Sequence, residues 1–191
     1  MDRPSVNAFL ALSLDGYIAG PEGDLSWLDP YATDSIEATG YRSLMDRVDT
    51  LVMGRNTFEK LLSFAHWPYH SKEVVVLTHR PLSPRHGETV LAGPLREVLA
   101  KLYGRGARHV YLDGGQAVRQ GLADGLVDQL TLSWVPVILG KGISLFDGIQ
   151  KCLALQLAEV RHLPSGLVQT IYRPPEPLGR QPTEESLHEP A

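Results

Sequence analysis

An open α/β sheet, mostly parallel and covered by helices on both faces, is the fold class this sequence predicts. Three observations predict it. Apolar runs of strand length end at glycine or other turn-forming residues, helical segments alternate with those runs early in the chain, and the last third carries strands in succession.

Val6 to Ser13 (VNAFLALS) is dense in apolar residues over a strand's length and ends at Asp15-Gly16, a turn-forming dipeptide. GPEGDLSWLDP follows, too rich in glycine, proline and aspartate for regular structure. Thr33 to Val48 then has helical spacing, with Ile36, Leu44, Met45 and Val48 on one side. Thr50 to Met53 predicts a short buried strand, with Gly54 at its end and a helix from Thr57 to Phe64. Glu73 to Thr78 (EVVVLT) has the β-branched density of a central parallel strand, and Val90-Leu91 begins another. Pro94 opens a helix running to Tyr103, suited to a first turn whose N–H has no partner within the helix. His109 to Leu112 is strand again, Asp113-Gly114-Gly115 turns the chain, and Gln116 to Gly121 forms a brief helix. Gln129 to Ile138, Leu153 to Arg161 and Leu167 to Tyr172 predict strands with turns at LGKG and PSG, and antiparallel pairing at one edge. Beyond Arg173 the chain is rich in proline and glutamate and poor in large apolar residues, so one domain over 1–173 and a disordered tail over 174–191 are expected.

A chain of 191 residues with 43% hydrophobic content buries one substantial core. The net charge of -4 and a pI near 6.0 give no electrostatic reason for nucleic-acid binding, which needs a concentrated basic face. No segment approaches the roughly 18 apolar residues of a membrane span, and Met1 to Ser5 lacks the apolar run of a secretory signal. A soluble, cytoplasmic protein is the expectation. Cys152 is the only cysteine, which excludes an intramolecular disulfide; its KCLALQL setting predicts a small buried packing residue. The seven histidines show no metal-binding spacing such as HExxH.

In a parallel sheet the ligand crevice lies beyond the carboxyl ends of the strands, where glycine admits a phosphate close to the backbone and helix starts offer unpaired N–H groups. Two places fit. MGRNTFE joins a strand end to a helix start through Gly54, with Arg55 as a permanent cation and Asn56 and Thr57 as donors; LDGGQAV does the same through Gly114 and Gly115. Each alone is also compatible with a plain tight turn. A third strand end, LTHR, sets Thr78, His79 and Arg80 where an adenosine would lie, and arginines with a hydroxyl attract a ribose 2′-phosphate, favouring NADP over NAD.

SLDGYIAG, VMGRNTFE, VVVLTHR, VYLDGGQAV and VPVILGKGISLF together, in that order, resemble the dihydrofolate reductase superfamily. They are most similar to its branch containing the reductase domain of the bacterial riboflavin-biosynthesis deaminase-reductase and its stand-alone relatives. The resemblance spans Val6 to Arg173. It implies a dihydrofolate-reductase-like three-layer α/β sandwich, a bound NADPH, and hydride transfer to a small heterocyclic substrate. It places the cofactor phosphates on Gly54, Arg55, Asn56 and Thr57, and the adenosine and 2′-phosphate along Leu77, Thr78, His79 and Arg80. Asp113, Gly114, Gly115, Gln116 and Ala117 would support pyrophosphate and nicotinamide, with Ala11, Ile18 and Ala19 bordering the nicotinamide. Asp15, with Gly16, would turn the chain into a mobile loop beside the substrate. Such chemistry needs orientation and exclusion of water more than a nucleophile.

Folate reductases carry a carboxylate early in the first helix that assists protonation; Glu37 is the candidate here, with Asp34 near it, although the preceding loop differs in length. Trp27 and Ser133 are candidates to face the substrate, and Arg42 and Lys141 to hold a substrate phosphate. The deaminase half of the bifunctional enzyme has no counterpart, since no HxE or PCxxC pattern occurs. Three readings stand: a reductase of the riboflavin-pathway type, a dihydrofolate or pteridine reductase, and a non-catalytic NADPH- or ligand-binding protein. The strand-rich last third predicts an edge that pairs with a second copy, a homodimer.

Overall fold

The computed structural model describes residues 2–35 and 37–175. Met1, Ile36 and residues 176–191 lie outside the described residues, and with them the helical-face position of Ile36 and most of the expected tail. In chain order the elements are β1 (Ser5–Ser13), β2 (Tyr17–Ala19), α1 (Tyr41–Arg47), β3 (Thr50–Gly54), α2 (Arg55–Leu61), β4 (Glu73–Leu77), β5 (Thr89–Leu91), α3 (Leu95–Gly104), β6 (His109–Asp113), α4 (Gly115–Ala123), β7 (Gln129–Val135), β8 (Ile143–Ser144), β9 (Gln156–His162) and β10 (Val168–Arg173). Short 3-10 turns occupy Pro21–Gly23 and Ser26–Tyr31.

Eight strands form one sheet in the order β5-β4-β3-β6-β1-β7-β10-β9, and β2 and β8 form a separate pair. The strands from β5 to β7 are parallel; β10 runs antiparallel to both neighbours. The antiparallel strand is thus one place in from the edge, and β9 is the edge itself.

Alternation along β1 assigns the two faces. Val6, Ala8, Leu10 and Leu12 pack with α3 and α4, where Leu95, Val98, Leu99 and Leu102 form a buried stripe at helical spacing. Truncating Leu99 or Leu102 to alanine is expected to cost about 2–5 kcal/mol. Gly121 lets α4 close on the sheet, because a Cβ there would meet Leu112 Cδ2 at 2.6 Å and Val127 Cγ2 at 3.0 Å. The other face of the sheet packs Leu51, Met53, Val74, Val76 and Tyr111 against Leu44 of α1 and Phe58 and Leu61 of α2.

Three expectations are corrected. The first helix is not Thr33 to Val48 but only Tyr41–Arg47, preceded by turns. Gly40 at φ 75° breaks it, and polar side chains capture backbone groups upstream: Ser35 Oγ accepts from Ala38 N at 3.0 Å and Asp34 accepts from Ser165 N at 2.9 Å. Cys152 is exposed rather than buried, while its neighbour Leu153 takes the core contact. β2 and β8, read as loop and turn, pair with each other across Tyr17–Ser144 and Ala19–Ile143.

Candidate active site

The parallel register of β3 on β6 sets the site. Met53 pairs with Asp113, so Gly54 and Gly114 emerge side by side at neighbouring strand ends. A Cβ on Gly54 would meet nothing within 4 Å, leaving its backbone open to a ligand. Gly114 is the reverse case. At φ 83° and ψ 143° it occupies backbone that L-residues rarely adopt, and a side chain there would overlap Thr57 Oγ1 and approach Thr57 Cβ at 3.0 Å. Gly115 in turn lies against Ile18 Cδ1 with no room for a methyl group. The two glycine junctions and the loop after β1 therefore converge on one place.

From that junction an open cleft of about 160 Å³ runs between Gly54, Gln116 and Ala117 on one side and Leu77, Thr78, His79 and Gly93 on the other. Arg55 stands beside it. Its Nε donates to Glu59 at 2.6 Å and its Nη1 to the Pro81 carbonyl at 2.9 Å, tying the start of α2 to the turn after β4. Thr78 Oγ1 accepts from Arg80 N at 3.1 Å and fixes that turn. Of the predicted phosphate and adenosine residues, Gly54, Leu77, Thr78, His79, Gln116 and Ala117 line the cleft; Thr57 buttresses Gly114, and Asn56 and Arg80 are exposed outside the lining.

The loop after β1 is clamped. Asp15 accepts from Ser13 Oγ at 2.6 Å, Gly140 N at 2.7 Å and Leu139 N at 3.1 Å, and these bonds, Ser13 first, hold its carboxyl below the usual carboxylate range. Leu145 N donates to the Gly16 carbonyl at 3.0 Å, and Gly142 fits closely against the Ala19 carbonyl. Asp15 thus joins the loops after β1 and β7, and the expected mobile loop is held at both ends. Ala11 sits partly exposed near the end of β1, beside the buried Ala19.

On the α1/α2 face, below the junction, lies a polar cluster that sequence reasoning missed. Asp113 is half-buried as a residue with its carboxyl enclosed; it accepts from Gly114 N at 2.8 Å and from the hydroxyls of Tyr111 and Tyr69, and burial nevertheless raises its pKa. Tyr69 bonds in turn to Tyr41. Burial first, and then the Asp113 charge, push the Tyr69 and Tyr111 hydroxyls up, so both stay protonated as donors. Phe9 and Tyr41 meet edge to face at 5.5 Å, Tyr41 and Tyr111 at 6.2 Å, and Tyr111 Oη donates to the Phe9 carbonyl at 2.9 Å. Tyr111 was findable, since it alternates with Asp113 on β6. Tyr69 lies in a segment without periodicity and had no such signal.

Toward β10 the floor continues through Ala11, Ser133 and Gln169, which stand in register on β1, β7 and β10 and so share a face. Gln169, also missed, is fully buried and donates through Nε2 to Ser133 Oγ and the Thr39 carbonyl, both at 3.1 Å. Trp27 packs with Ala11, Val135, Leu163 and Leu167, and its Nε1 is buried with no hydrogen-bond partner among the described residues. Glu37 is elsewhere: it is exposed in the turn before α1, paired with Arg42 at 2.6 Å, and its pKa is lowered first by its own backbone N–H and then by Arg42. The structure therefore does not bring Glu37 to Asp113 and the tyrosines.

The family model of the RibD C-terminal domain matches residues 4–169. The chain belongs to the RibD C-terminal domain family. That domain is the reductase domain of a riboflavin-biosynthesis protein. Among individual proteins, the chain is 31% identical over 161 residues to the uncharacterized protein YwjB of Bacillus subtilis, spanning 82% of this chain and 90% of YwjB. A crystal structure of a Shewanella sp. PV-4 protein ascribed to riboflavin biosynthesis superposes with a TM-score of 0.80 at 35% identity, over 88% of this chain and 98% of that one. The dihydrofolate reductase of Enterococcus faecalis, solved with NADP(H), reaches a TM-score of 0.58 at 22% identity over 88% and 95%. It shares the dihydrofolate-reductase-like fold and no more is drawn from it.

Proposed function

We propose that this RibD-type domain is an NADPH-dependent reductase acting on a small heterocyclic substrate, with the aminopyrimidine reduction of riboflavin biosynthesis as the nearest chemistry. The observation that carries the reading is the pairing of Met53 with Asp113, which puts two anion-receptive glycine junctions side by side at the head of one cleft.

The residues present fit NADPH. The open backbone of Gly54 and the first turn of α4 from Gly115 to Ala117 would hold the pyrophosphate, with Thr57 keeping Gly114 in place. Leu77, Thr78 and His79 would take the adenosine, with Arg55 and Arg80 near its 2′-phosphate. Ala11, Ile18 and Ala19 would border the nicotinamide, in a loop that Asp15 fixes. When bound, the cofactor supplies a hydride. The chain's own part is to orient the substrate on the floor formed by Phe9, Ala11 and Ser133, and to hold a proton. Asp113 is the group suited to that role, because its raised pKa keeps the carboxyl protonated to higher pH than an exposed aspartate, and its proton balances the hydride at the atom beside the reduced carbon.

The folate reading is disfavoured by Glu37, whose carboxylate faces solvent and Arg42. A homodimer is proposed through β9, an edge strand whose Leu157 and Val160 are 51% and 47% exposed. No helix among the described residues is long and apolar enough to cross a membrane, and no group of three metal-ligating side chains occurs among them.

Two assays test the function. Fluorescence titration should show NADPH binding more tightly than NADH; equal or tighter NADH binding removes the 2′-phosphate argument. Loss of absorbance at the reduced-nicotinamide band should follow addition of the deaminated aminopyrimidine phosphate rather than dihydrofolate. Tight NADPH binding with no turnover on these or on a carbonyl and imine panel would favour the non-catalytic reading.

A further inference from the structure

Gln169 Oε1 is buried without a hydrogen-bond partner among the described residues, in a side chain that is 0% exposed. The orientation of the amide is fixed chemically, since the Thr39 carbonyl can only accept, which requires Nε2 to face it. An acceptor enclosed and unsatisfied in this way carries a desolvation penalty that a native fold normally avoids.

Its place gives the orphan a meaning. Gln169 is in register with Ser133, and Ser133 with Ala11, on the face that also carries Phe9, Tyr111 and Asp113. From Asp113 on β6 to Gln169 on β10 is three strand spacings, about 14 Å, which suits a ring at one end and the reacting carbon at the other. No cation contributes to the raised pKa values of Asp113, Tyr69 or Tyr111, so this floor is built for an uncharged planar group. We propose that Gln169 reads the substrate ring, its Oε1 accepting the N–H of a secondary ring amide in a heterocycle of uracil or pterin type. The proposal rests on the active-site reading above and names the substrate class for it. Entry to Oε1 requires movement of residues 32–40, which cover it in turns; their side-chain hold on the sheet is Asp34, which accepts from the Ser165 backbone N–H and hydroxyl.

The test compares 5,6-diaminouracil with 5,6-diamino-1,3-dimethyluracil, which lacks the ring N–H groups. Both are titrated by ligand-observed NMR into the full chain without cofactor. The wild type should bind the unmethylated ring at least about fivefold tighter, the worth of one net hydrogen bond, and Gln169→Met and Gln169→Asn should bring that ratio near one. A purely structural Gln169 would weaken both ligands equally and preserve the ratio, as would steric rejection of the methyl groups; a preserved ratio, or a wild-type ratio near one, overturns the proposal. A readout that needs no variant guards against misfolding: the Gln169 side-chain amide resonances should shift with saturating diaminouracil and not with the dimethyl compound, and their failure to shift overturns it as well. NADPH binding is measured on the same samples, so failure of the reductase reading shows there and leaves the ring ratio interpretable.

Discussion

Gly114→Ala is the substitution with the most specific expected cost. The new methyl group would overlap Thr57 Oγ1 and sit 3.0 Å from Thr57 Cβ, on a backbone at φ 83° and ψ 143°. Holding a non-glycine residue in that region costs about 1–3 kcal/mol. Pushing Thr57 aside in the first turn of α2 adds overpacking of about 1–3 kcal/mol. Together these predict a melting temperature lower by about 5–15 °C for a chain of this size. The same methyl group stands where a pyrophosphate would approach the backbone, so the dissociation constant for NADPH should rise at least about tenfold. Adding Thr57→Ala removes the overlap and leaves the backbone strain, and it should restore part of the melting temperature without restoring affinity. Differential scanning fluorimetry and NADPH fluorescence titration read the two effects separately. A G114A protein that melts within about 1 °C of wild type and binds NADPH normally would refute the reasoning, because neither the close packing nor the phosphate approach would then exist.

Other expectations follow from single groups. Arg55→Ala should weaken NADPH binding about tenfold or more and leave NADH nearly unchanged; equal losses would move Arg55 to the shared pyrophosphate. Burial raises the Asp113 pKa, so the stability tied to its neutral form is complete below the ordinary carboxylate range and is lost as pH rises through the raised value. Asp113→Asn should flatten that part of the melting-temperature profile and remove the matching fall in reductase rate, whereas parallel profiles for both proteins would contradict the assignment. Light scattering should give about twice 21.0 kDa, and Val160→Asp should shift it toward one chain; a one-chain mass for wild type rules out the β9 dimer.

Much of the fold was legible because strand burial and glycine placement write themselves into local sequence. VVVL in β4 reads as a central parallel strand, and the LDGG and VMGRN junctions mark strand ends, since close backbone approach tolerates no side chain there. What escaped was non-local. The helix expected from Thr33 had the right apolar spacing, but Asp34 found Ser165, which is 131 residues away, and Gly40 took a left-handed conformation. β2 and β8 are too short to carry a period and exist only because the loops after β1 and β7 meet, through Asp15 and Gly140 among others. The cofactor side of the site was readable because it is mostly backbone, glycine and charge. The substrate side was not, because Tyr41, Tyr69 and Gln169 are ordinary residues given roles by packing from three separate parts of the chain.

The central claim is that one dinucleotide spans both glycine junctions, and backbone amide NMR during an NADPH titration tests it most directly. Gly54 to Thr57 and Gly114 to Ala117 should shift together along a single saturation curve, with Thr78 and His79 following the same curve. Movement of one junction alone, or of neither while NADPH binds elsewhere, would contradict the account.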